Sequence, residues 1–192
     1  MKNCRNGQAA ILSESDYSRL RRNINQLKYK ILFDIAWYTG ERWGAICKLK
    51  VTDVYQNGKP KEVITFRASS RKKRPDGSAE TRQVPIHPNL VEALSSYSPN
   101  ESFIWLFPSR ECDKPICWRN AYNILLASAD KAGLSAKGIS THSTRRSFIT
   151  KLHNNGVATA TIKKITGHRD FKSLERYIEI GNDEVKGAIF AL

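Results

Sequence analysis

The sequence predicts an α+β fold, a single and mostly helical domain with a small three-stranded antiparallel sheet near its N-terminal third. Apolar residues recur at helical spacing along most of the 192 residues, and glycine or asparagine ends several of these segments. Strand-like patterning is confined to residues 51–86. The sequence contains neither an internal repeat nor a low-complexity linker, so we expect one domain over residues 1–192.

Three helices are predicted before the sheet. Ser13 is expected to cap the first, because Asp16 follows it three residues later, as in a capping box. The second extends from about residue 27 to residue 39 and ends at Gly40. A short helix over residues 43–49 follows directly, so Gly40 marks a corner between two helices.

The predicted strands are residues 51–55, 61–67 and 81–86. Asn57-Gly58 predicts a tight turn after the first strand, because both residues adopt positive φ readily. The connection between the second and third strands is long and polar. Pro85 indicates an edge or the exit of the third strand.

The rest of the chain is predicted to be helical, apart from an apolar connector over residues 105–108. Glycine or Asn-Gly follows three of these helices, as expected for C-terminal caps. The predicted helices are residues 89–97, 118–132, 143 or 144 to 154, 158–166, 171–178 and 183–192.

The chain is strongly basic. Its 32 Lys and Arg against 18 Asp and Glu give a net charge of +14 and a pI near 9.8. Such an excess is typical of proteins that bind a polyanion, and nucleic acid is the usual one. A charge that only keeps the protein in solution is the alternative.

The sequence indicates neither a membrane protein nor a metalloprotein. It has no run of about eighteen apolar residues and no N-terminal apolar segment of signal-peptide length. Cys4, Cys47, Cys112 and Cys117 form no CxxC pattern and no zinc-ligand spacing with the four histidines. We therefore expect a cytoplasmic protein with no metal and no other cofactor.

Two segments contain residues suited to binding a phosphate. His142 and Arg145, in THSTRRS, share a face if a helix begins near His142. The planar fork of arginine forms two parallel charge-assisted hydrogen bonds to phosphate oxygens. Arg42 follows the corner at Gly40, from which its guanidinium can reach a site built by later segments. Taken alone, each residue is also consistent with a helix cap or a surface side chain.

Tyr177 is the predicted nucleophile. It follows His168, in TGHRD, by nine residues. A phenol is mostly protonated at neutral pH, and two nearby guanidinium groups favour its ionised form. His168 can donate to a phosphate oxygen or transfer a proton. A tyrosine attacking a phosphodiester predicts an enzyme that cleaves and joins DNA, whereas a packed helix tyrosine is the alternative for Tyr177.

The loop between the second and third strands is densely basic. A lysine in it can protonate the 5′ oxygen that leaves when DNA is cut, and we favour Lys72 over Lys73 for this role. The surrounding basic residues are expected to contact the phosphate backbone. The predicted DNA-binding residues are Arg67, Arg71, Lys73, Arg74 and Arg82.

In order and spacing, these residues resemble the motifs of the tyrosine recombinase family, also called the phage-type integrases. TGER, which ends at Arg42, is similar to the block whose arginine binds the scissile phosphate. HSTR, residues 142–145, is similar to the second block, and TGH with Tyr177 is similar to the third. Lys72 is similar in position to the lysine of the family's sheet hairpin.

The resemblance covers about residues 12–180 and implies the fold of a tyrosine recombinase catalytic domain. It implies that Tyr177 forms a 3′-phosphotyrosyl link and that Lys72 protonates the leaving oxygen, without metal or ATP. The partner would be double-stranded DNA, with a tetramer on paired sites, an accessory DNA-bending protein in some reactions, and a nucleoid location. The helix at 183–192 would dock on a neighbouring subunit or pack on its own domain.

The chain departs from the family pattern at two positions and in length. Many members have an acid three residues after the first arginine, where this chain has Ala45, and a histidine where it has Arg146. Typical members also have a separate N-terminal domain that clamps DNA. We predict that this core-binding domain is missing here, in a compact one-domain enzyme or in a catalytic fragment.

Three other functions share some of these features. A non-catalytic DNA-binding regulator derived from an integrase would have the same charge. A type IB topoisomerase would share the chemistry but would not pair two DNA sites. An RNA-binding protein is least supported, because the stacking motifs of the usual modules are missing from the sequence.

Overall fold

The computed structural model describes residues 8–71, 77–100, 102–111, 113–178, 186–187 and 189–190. Within these residues the protein is mostly helical with short antiparallel strands, which confirms the predicted α+β class. The chain divides into two compact units, Met1–Phe148 and Ile149–Leu192. No described helix has the length and apolar character needed to traverse a lipid bilayer.

The helices occur where the sequence predicts them, with ends that differ by a few residues. The described helices are α1 (Glu14–Arg22), α2 (Leu27–Thr39), α3 (Trp43–Ile46), α4 (Pro88–Ser95), α5 (Trp118–Lys131), α6 (Thr141–Asn154), α7 (Thr159–Thr166) and α8 (Phe171–Glu175). Residues 141–148 of α6 belong to the first unit and the rest to the second. The helix predicted over residues 183–192 lies largely outside the described residues.

The start of α1 confirms the predicted capping box. The hydroxyl of Ser13 accepts the Asp16 N–H at 3.1 Å, and the Asp16 carboxylate accepts the Ser13 N–H at 2.8 Å. Two otherwise unpaired donors of the first turn are satisfied in this way. The buried face of α1 carries Tyr17, whose ring stacks on Trp37 of α2 with 4.7 Å between centroids.

The second helix lies in the core of the first unit. Phe33 and Ile35 have no solvent exposure, and apolar residues occur on all sides of α2, as is typical of a core helix. Asp34 is also buried, where it accepts hydrogen bonds from the Tyr17 hydroxyl at 2.7 Å and from Arg21 Nε at 2.8 Å. Burial raises the pKa of Asp34, although both partners favour its charged form. These bonds tie the middle of α2 to α1.

The strands are arranged differently from the prediction. In place of one three-stranded sheet, the described residues form two antiparallel pairs: β1 (Tyr55–Gln56) with β2 (Lys59–Pro60), and β3 (Val63–Phe66) with β4 (Arg82–Pro85). The predicted strand over 51–55 is wrong over most of its length. Residues 51–53 form a 3-10 turn, which the Asp53 carboxylate closes by accepting the Lys50 N–H at 2.8 Å.

The turn between β1 and β2 confirms the prediction from Asn57-Gly58. Both residues have positive φ, 52° and 72°, as a two-residue hairpin turn of type I′ requires. In the second pair, Phe66 lies opposite Arg82. The Arg82 guanidinium lies 5.5 Å from the Phe66 ring centroid, and this register directs Arg82 inward, towards the end of α2.

Gly40, which ends α2, lies against α6. Its φ is +58°, and an added Cβ would lie 2.4 Å from Cδ1 of Phe148. Gly40→Ala is therefore expected to lower the free energy of unfolding by about 2–4 kcal/mol, through left-handed strain and overpacking. Urea denaturation of the two proteins measures this difference.

Gly44→Ala in α3 is the matched control. An added Cβ at Gly44 has nothing within 4 Å, and its φ is not in the left-handed region. Alanine is the better helix former, so the free energy of unfolding should stay equal or rise by up to about 1 kcal/mol. Equal losses in the two variants would contradict the proposed role of the Gly40 corner.

Candidate active site

The corner after α2 positions Arg42. Arg42 is the N-cap residue of α3, with an extended backbone (φ −67°, ψ 136°), and its side chain is half-buried. The next residue, Trp43, is buried and donates its indole N–H to the hydroxyl of Thr144 in α6 at 3.1 Å. This bond ties the corner to the first turns of α6.

Arg145 projects from α6 towards the same corner. It is only 1% exposed, and its Nη1 donates to the Gly40 carbonyl at 2.8 Å, across 105 residues of sequence. His142 lies one turn earlier on α6 and is exposed. Both side chains line one cavity with Arg42. Their three-residue spacing predicts a shared face of one helix.

The cavity has a volume of about 640 Å³. Its basic side chains include Arg42, Lys48, Arg71 and Arg145, and among the described residues that line it Glu41 is the only acid. Such a lining favours a polyanionic ligand. The apolar wall of the cavity includes Pro115, Ile116, Cys117 and Trp118. The described part of the chain contains no group of three His, Cys, Asp or Glu side chains placed to hold a metal ion.

Glu41 lies beneath the arginines at 1% exposure. Its Oε2 is 2.8 Å from Arg82 Nη2 and 3.4 Å from Arg71 Nε. Its Oε1 accepts the Arg42 N–H at 2.8 Å and lies 4.0 Å from Arg145 Nη1. Burial alone would raise the pKa of Glu41, but the surrounding guanidinium groups and the Arg42 N–H lower it below its usual value.

The second unit carries the predicted nucleophile. Tyr177 follows α8 by two residues, in a turn where its N–H donates to the Leu174 carbonyl at 2.9 Å. Its own carbonyl accepts the Thr150 hydroxyl at 3.1 Å. The buried side chain of Leu174 holds α8 in place, and the Tyr177 side chain is partly exposed. The phenol is thus presented from a backbone that is fixed on both sides.

His168 lies next to Tyr177, with 5.4 Å between the ring centroids. It follows Gly167, which ends α7 with a φ of 66°. The Thr166 hydroxyl donates to the Ile162 carbonyl at 2.7 Å and lies 2.6 Å from His168 Nδ1, within hydrogen-bonding distance. This contact fixes the orientation of the imidazole ring beside Tyr177.

The other predicted site residues have different placements. Arg82 is buried and paired with Glu41, because the β3–β4 register turns its side chain inward. This placement differs from the DNA-contacting position that the sequence indicated. Arg67 is partly exposed and forms an ion pair with Asp53 at 2.7 Å. Lys72, Lys73 and Arg74 lie outside the described residues.

Glu41 and the apolar wall of the cavity were missed by the sequence analysis. The acid directly before Arg42 was a usable signal, because a carboxylate can form charge-assisted hydrogen bonds with nearby guanidinium groups. Trp118, at the first position of α5, is 49% exposed, which is unusual for tryptophan. No spacing rule connects it with Arg42, because the two meet only in the folded cavity.

The model of the phage integrase family matches residues 10–183, and the chain belongs to this family. It is 28% identical over 172 residues to tyrosine recombinase XerC of Halalkalibacterium halodurans, covering 84% of this chain and 53% of that protein. It is 26% identical over 160 residues to tyrosine recombinase XerD of Corynebacterium glutamicum, covering 83% and 51%. The chain therefore spans about half the length of these relatives.

Two solved structures show the same fold. The crystal structure of XerA recombinase superposes with a TM-score of 0.75 at 23% identity, covering 96% of this chain and 65% of that one. A lambda integrase dimer bound to a COC′ core site superposes with a TM-score of 0.66 at 15% identity, covering 88% and 48%. At these identities the likeness concerns the fold.

Proposed function

We propose that this chain is the catalytic part of a site-specific DNA recombinase, in which both compact units belong to one catalytic domain. The observation that carries the proposal is the meeting of Arg42, His142 and Arg145 at one basic cavity, although they come from distant segments. The position of Tyr177 beside His168 supports it. Membership of the phage integrase family is consistent with the same chemistry.

The proposed reaction is a phosphoryl transfer without metal or nucleotide. The Tyr177 oxygen attacks the scissile phosphorus, and the P–O5′ bond breaks as the P–O(Tyr) bond forms. The 3′ end of the DNA is then covalently attached to the protein. Lys72 gives a proton to the leaving 5′ oxygen, and His168 takes part in transfer of the phenolic proton. A 5′ hydroxyl of a second strand reverses the steps and restores the phosphodiester.

The arginines stabilise the charge of the pentavalent intermediate. The Arg145 guanidinium is held in advance by the Gly40 carbonyl, and the backbone of Arg42 is fixed at the N-terminus of α3. Groups fixed in this way need little rearrangement during the reaction. His142 is proposed to donate to a non-bridging oxygen from the exposed first turn of α6.

Double-stranded DNA is the proposed partner. Arg67, Arg71, Lys73 and Arg74 are proposed to contact its phosphates, and a tetramer is proposed to form on two paired sites. The DNA-bound lambda integrase dimer, whose fold is similar, supports binding of more than one copy. An accessory DNA-bending protein and a location at the nucleoid in the cytoplasm complete the proposal.

The test is capture of a covalent adduct. A pool of duplexes with a randomised centre is first enriched for binding to this chain, and a nick is then introduced beside each candidate cleavage site. Cleavage releases a short strand by diffusion and traps the adduct. Mass spectrometry of the digested adduct should place the nucleotide on the peptide that contains Tyr177.

Other outcomes separate the alternatives. Binding without any adduct would favour a non-catalytic DNA-binding regulator. Adduct formation with relaxation of supercoiled plasmid by the monomer, and no joining of two sites, would favour a type IB topoisomerase. Attachment to another residue would refute the assignment of Tyr177.

DNA affinity is expected to fall steeply with salt. Neutralising about five phosphates releases counterions, so the logarithm of the association constant should fall with the logarithm of salt concentration with a slope of roughly −4 to −5. Fluorescence anisotropy with a labelled duplex at several salt concentrations measures the slope. An affinity that does not change with salt would contradict binding by a basic groove.

A pair of variants tests which lysine contributes to the salt dependence of DNA affinity. Lys73→Gln should make the slope shallower by about one, because one phosphate contact is lost. Lys28→Gln removes the same charge from a lysine that lies 4.9 Å from the Tyr29 ring centroid, on α2, outside the predicted DNA-binding set. Equal changes in the two variants would show that only the net charge matters.

A further inference from the structure

The Glu41 carboxylate is placed among three guanidinium groups. Arg82 and Arg71 lie at 2.8 and 3.4 Å from Oε2, and Arg145 lies at 4.0 Å from Oε1. Glu41, Arg82 and Arg145 are each nine-tenths buried or more. One negative charge therefore stands between several cations in a site that excludes most water.

The removal of this charge would leave the cations to repel one another. Burial lowers the pKa of Arg82, and Arg71 and Arg42 lower it further, whereas Glu41 raises it. Repulsion between buried charges is strong, because little solvent screens it. The Arg42 side chain is half-buried and lines the cavity, so it has room to turn away from the other cations.

Glu41 also orients the backbone at the corner. Its Oε1 accepts the N–H of Arg42 at 2.8 Å, and the preceding residue, Gly40, supplies the carbonyl that binds Arg145 Nη1 at 2.8 Å. One short segment thus contacts both predicted catalytic arginines. Ala45, 3% exposed and on the wall of the same cavity, offers no charge for this purpose.

We infer that Glu41 is a positioning residue that sets the directions of Arg42 and Arg145 towards the scissile phosphate. The inference rests on the proposed function. Glu41 acts through the arginines and does not touch the DNA itself. Position 45, where many family members have an acid, is alanine in this chain, and Glu41 supplies an acid from the position before Arg42.

The test compares cleavage of two nicked substrates by Glu41→Gln under single-turnover conditions. Glutamine keeps the size of the side chain and an acceptor for the Arg42 N–H, but it has no charge. On the natural phosphodiester, cleavage should slow by roughly 10–100-fold, the usual effect of a displaced catalytic group. DNA affinity should change by less than about threefold, because the arginines act mainly in the transition state.

The second substrate carries a methylphosphonate at the scissile position. This group lacks one charged non-bridging oxygen, so the arginines contribute less to its cleavage. If Glu41 acts through them, the defect of Glu41→Gln should shrink to less than about fivefold on this substrate. Equal slowing of the two substrates would mean that Glu41 only maintains the fold, and would overturn the inference.

Two further variants complete the design. Glu92→Gln, on the exposed side of α4, is the matched control and should cleave both substrates at the wild-type rate.

Glu41→Asp keeps the charge at a shorter reach, and it decides the outcome if Glu41→Gln does not fold. It should show a smaller defect with the same dependence on substrate, and equal slowing of the two substrates would overturn the inference. If the wild-type chain forms no adduct at all, the proposed function fails; if it does and Glu41→Gln matches it, only the inference fails.

Discussion

Tyr177→Phe is expected to abolish the covalent adduct with DNA and to leave DNA affinity within about twofold of the wild type. The substitution removes one oxygen, the proposed attacking atom, and keeps the ring that lies 5.4 Å from His168. The backbone contacts of residue 177, with Thr150 and Leu174, do not involve the hydroxyl. The loss of a nucleophile lowers turnover by roughly 10⁴-fold or more.

Adduct formation on the nicked duplex, resolved on a denaturing gel, is the measurement. Tyr29→Phe is the matched control, because Tyr29 is a partly buried tyrosine of α2 for which the structure shows a cation–π contact with Lys28. It should form adduct at the wild-type rate. Adduct that persists in Tyr177→Phe would identify a different nucleophile and remove the basis of the proposed reaction.

Arg145→Ala is expected to slow cleavage by about 10²–10³-fold, the effect of removing one fixed donor to a transition-state charge. DNA affinity should fall by less than about tenfold, since the contact strengthens only as charge develops on phosphorus. The fold should weaken as well. Arg145 is buried against Glu41, but Glu41 keeps Arg82 and Arg71, so the loss in free energy of unfolding should be about 3 kcal/mol or less.

The neighbouring arginine provides the control. Arg146 is 2% exposed and its Nη1 donates to the Ala9 carbonyl at 2.9 Å, and it does not line the cavity. Arg146→Ala should lose stability to a similar extent, while the cleavage rate of the folded fraction stays within about threefold of the wild type. Rates normalised to the folded fraction separate the two variants. Proportional losses of binding and cleavage in Arg145→Ala would mean that Arg145 only holds DNA.

Local signals predicted the helices well. The capping box at Ser13 and the glycine at position 40 act over a few residues, so both could be read directly. The strands were harder. The segment 51–53 has β-branched residues suited to a strand, but the Lys50–Asp53 bond turns it into a 3-10 helix. Short strands depend on their pairing partners, which propensity does not identify.

In the candidate site, too, some residues could be predicted from local sequence and others depended on tertiary pairing. Arg42, His142 and Arg145 could be proposed from motifs because their spacing is characteristic, and all three line one cavity. Arg82 was placed on the DNA-binding surface because it belongs to a basic stretch, yet the strand register buries it beside Glu41. In a short hairpin the pairing register decides which face of the sheet a side chain occupies, and a shift of one residue moves it to the other face.

The candidate catalytic residues could be proposed from the sequence by itself: a phenol, two histidines and two arginines on a chain of charge +14. Local capping and periodicity also determined most of the helices. Only the tertiary structure decided that Glu41 lies under the guanidinium groups and that Arg82 faces inward. Both facts depend on contacts between segments far apart in sequence. Burial reduces solvent screening there, so the Glu41 carboxylate interacts strongly with every nearby guanidinium group.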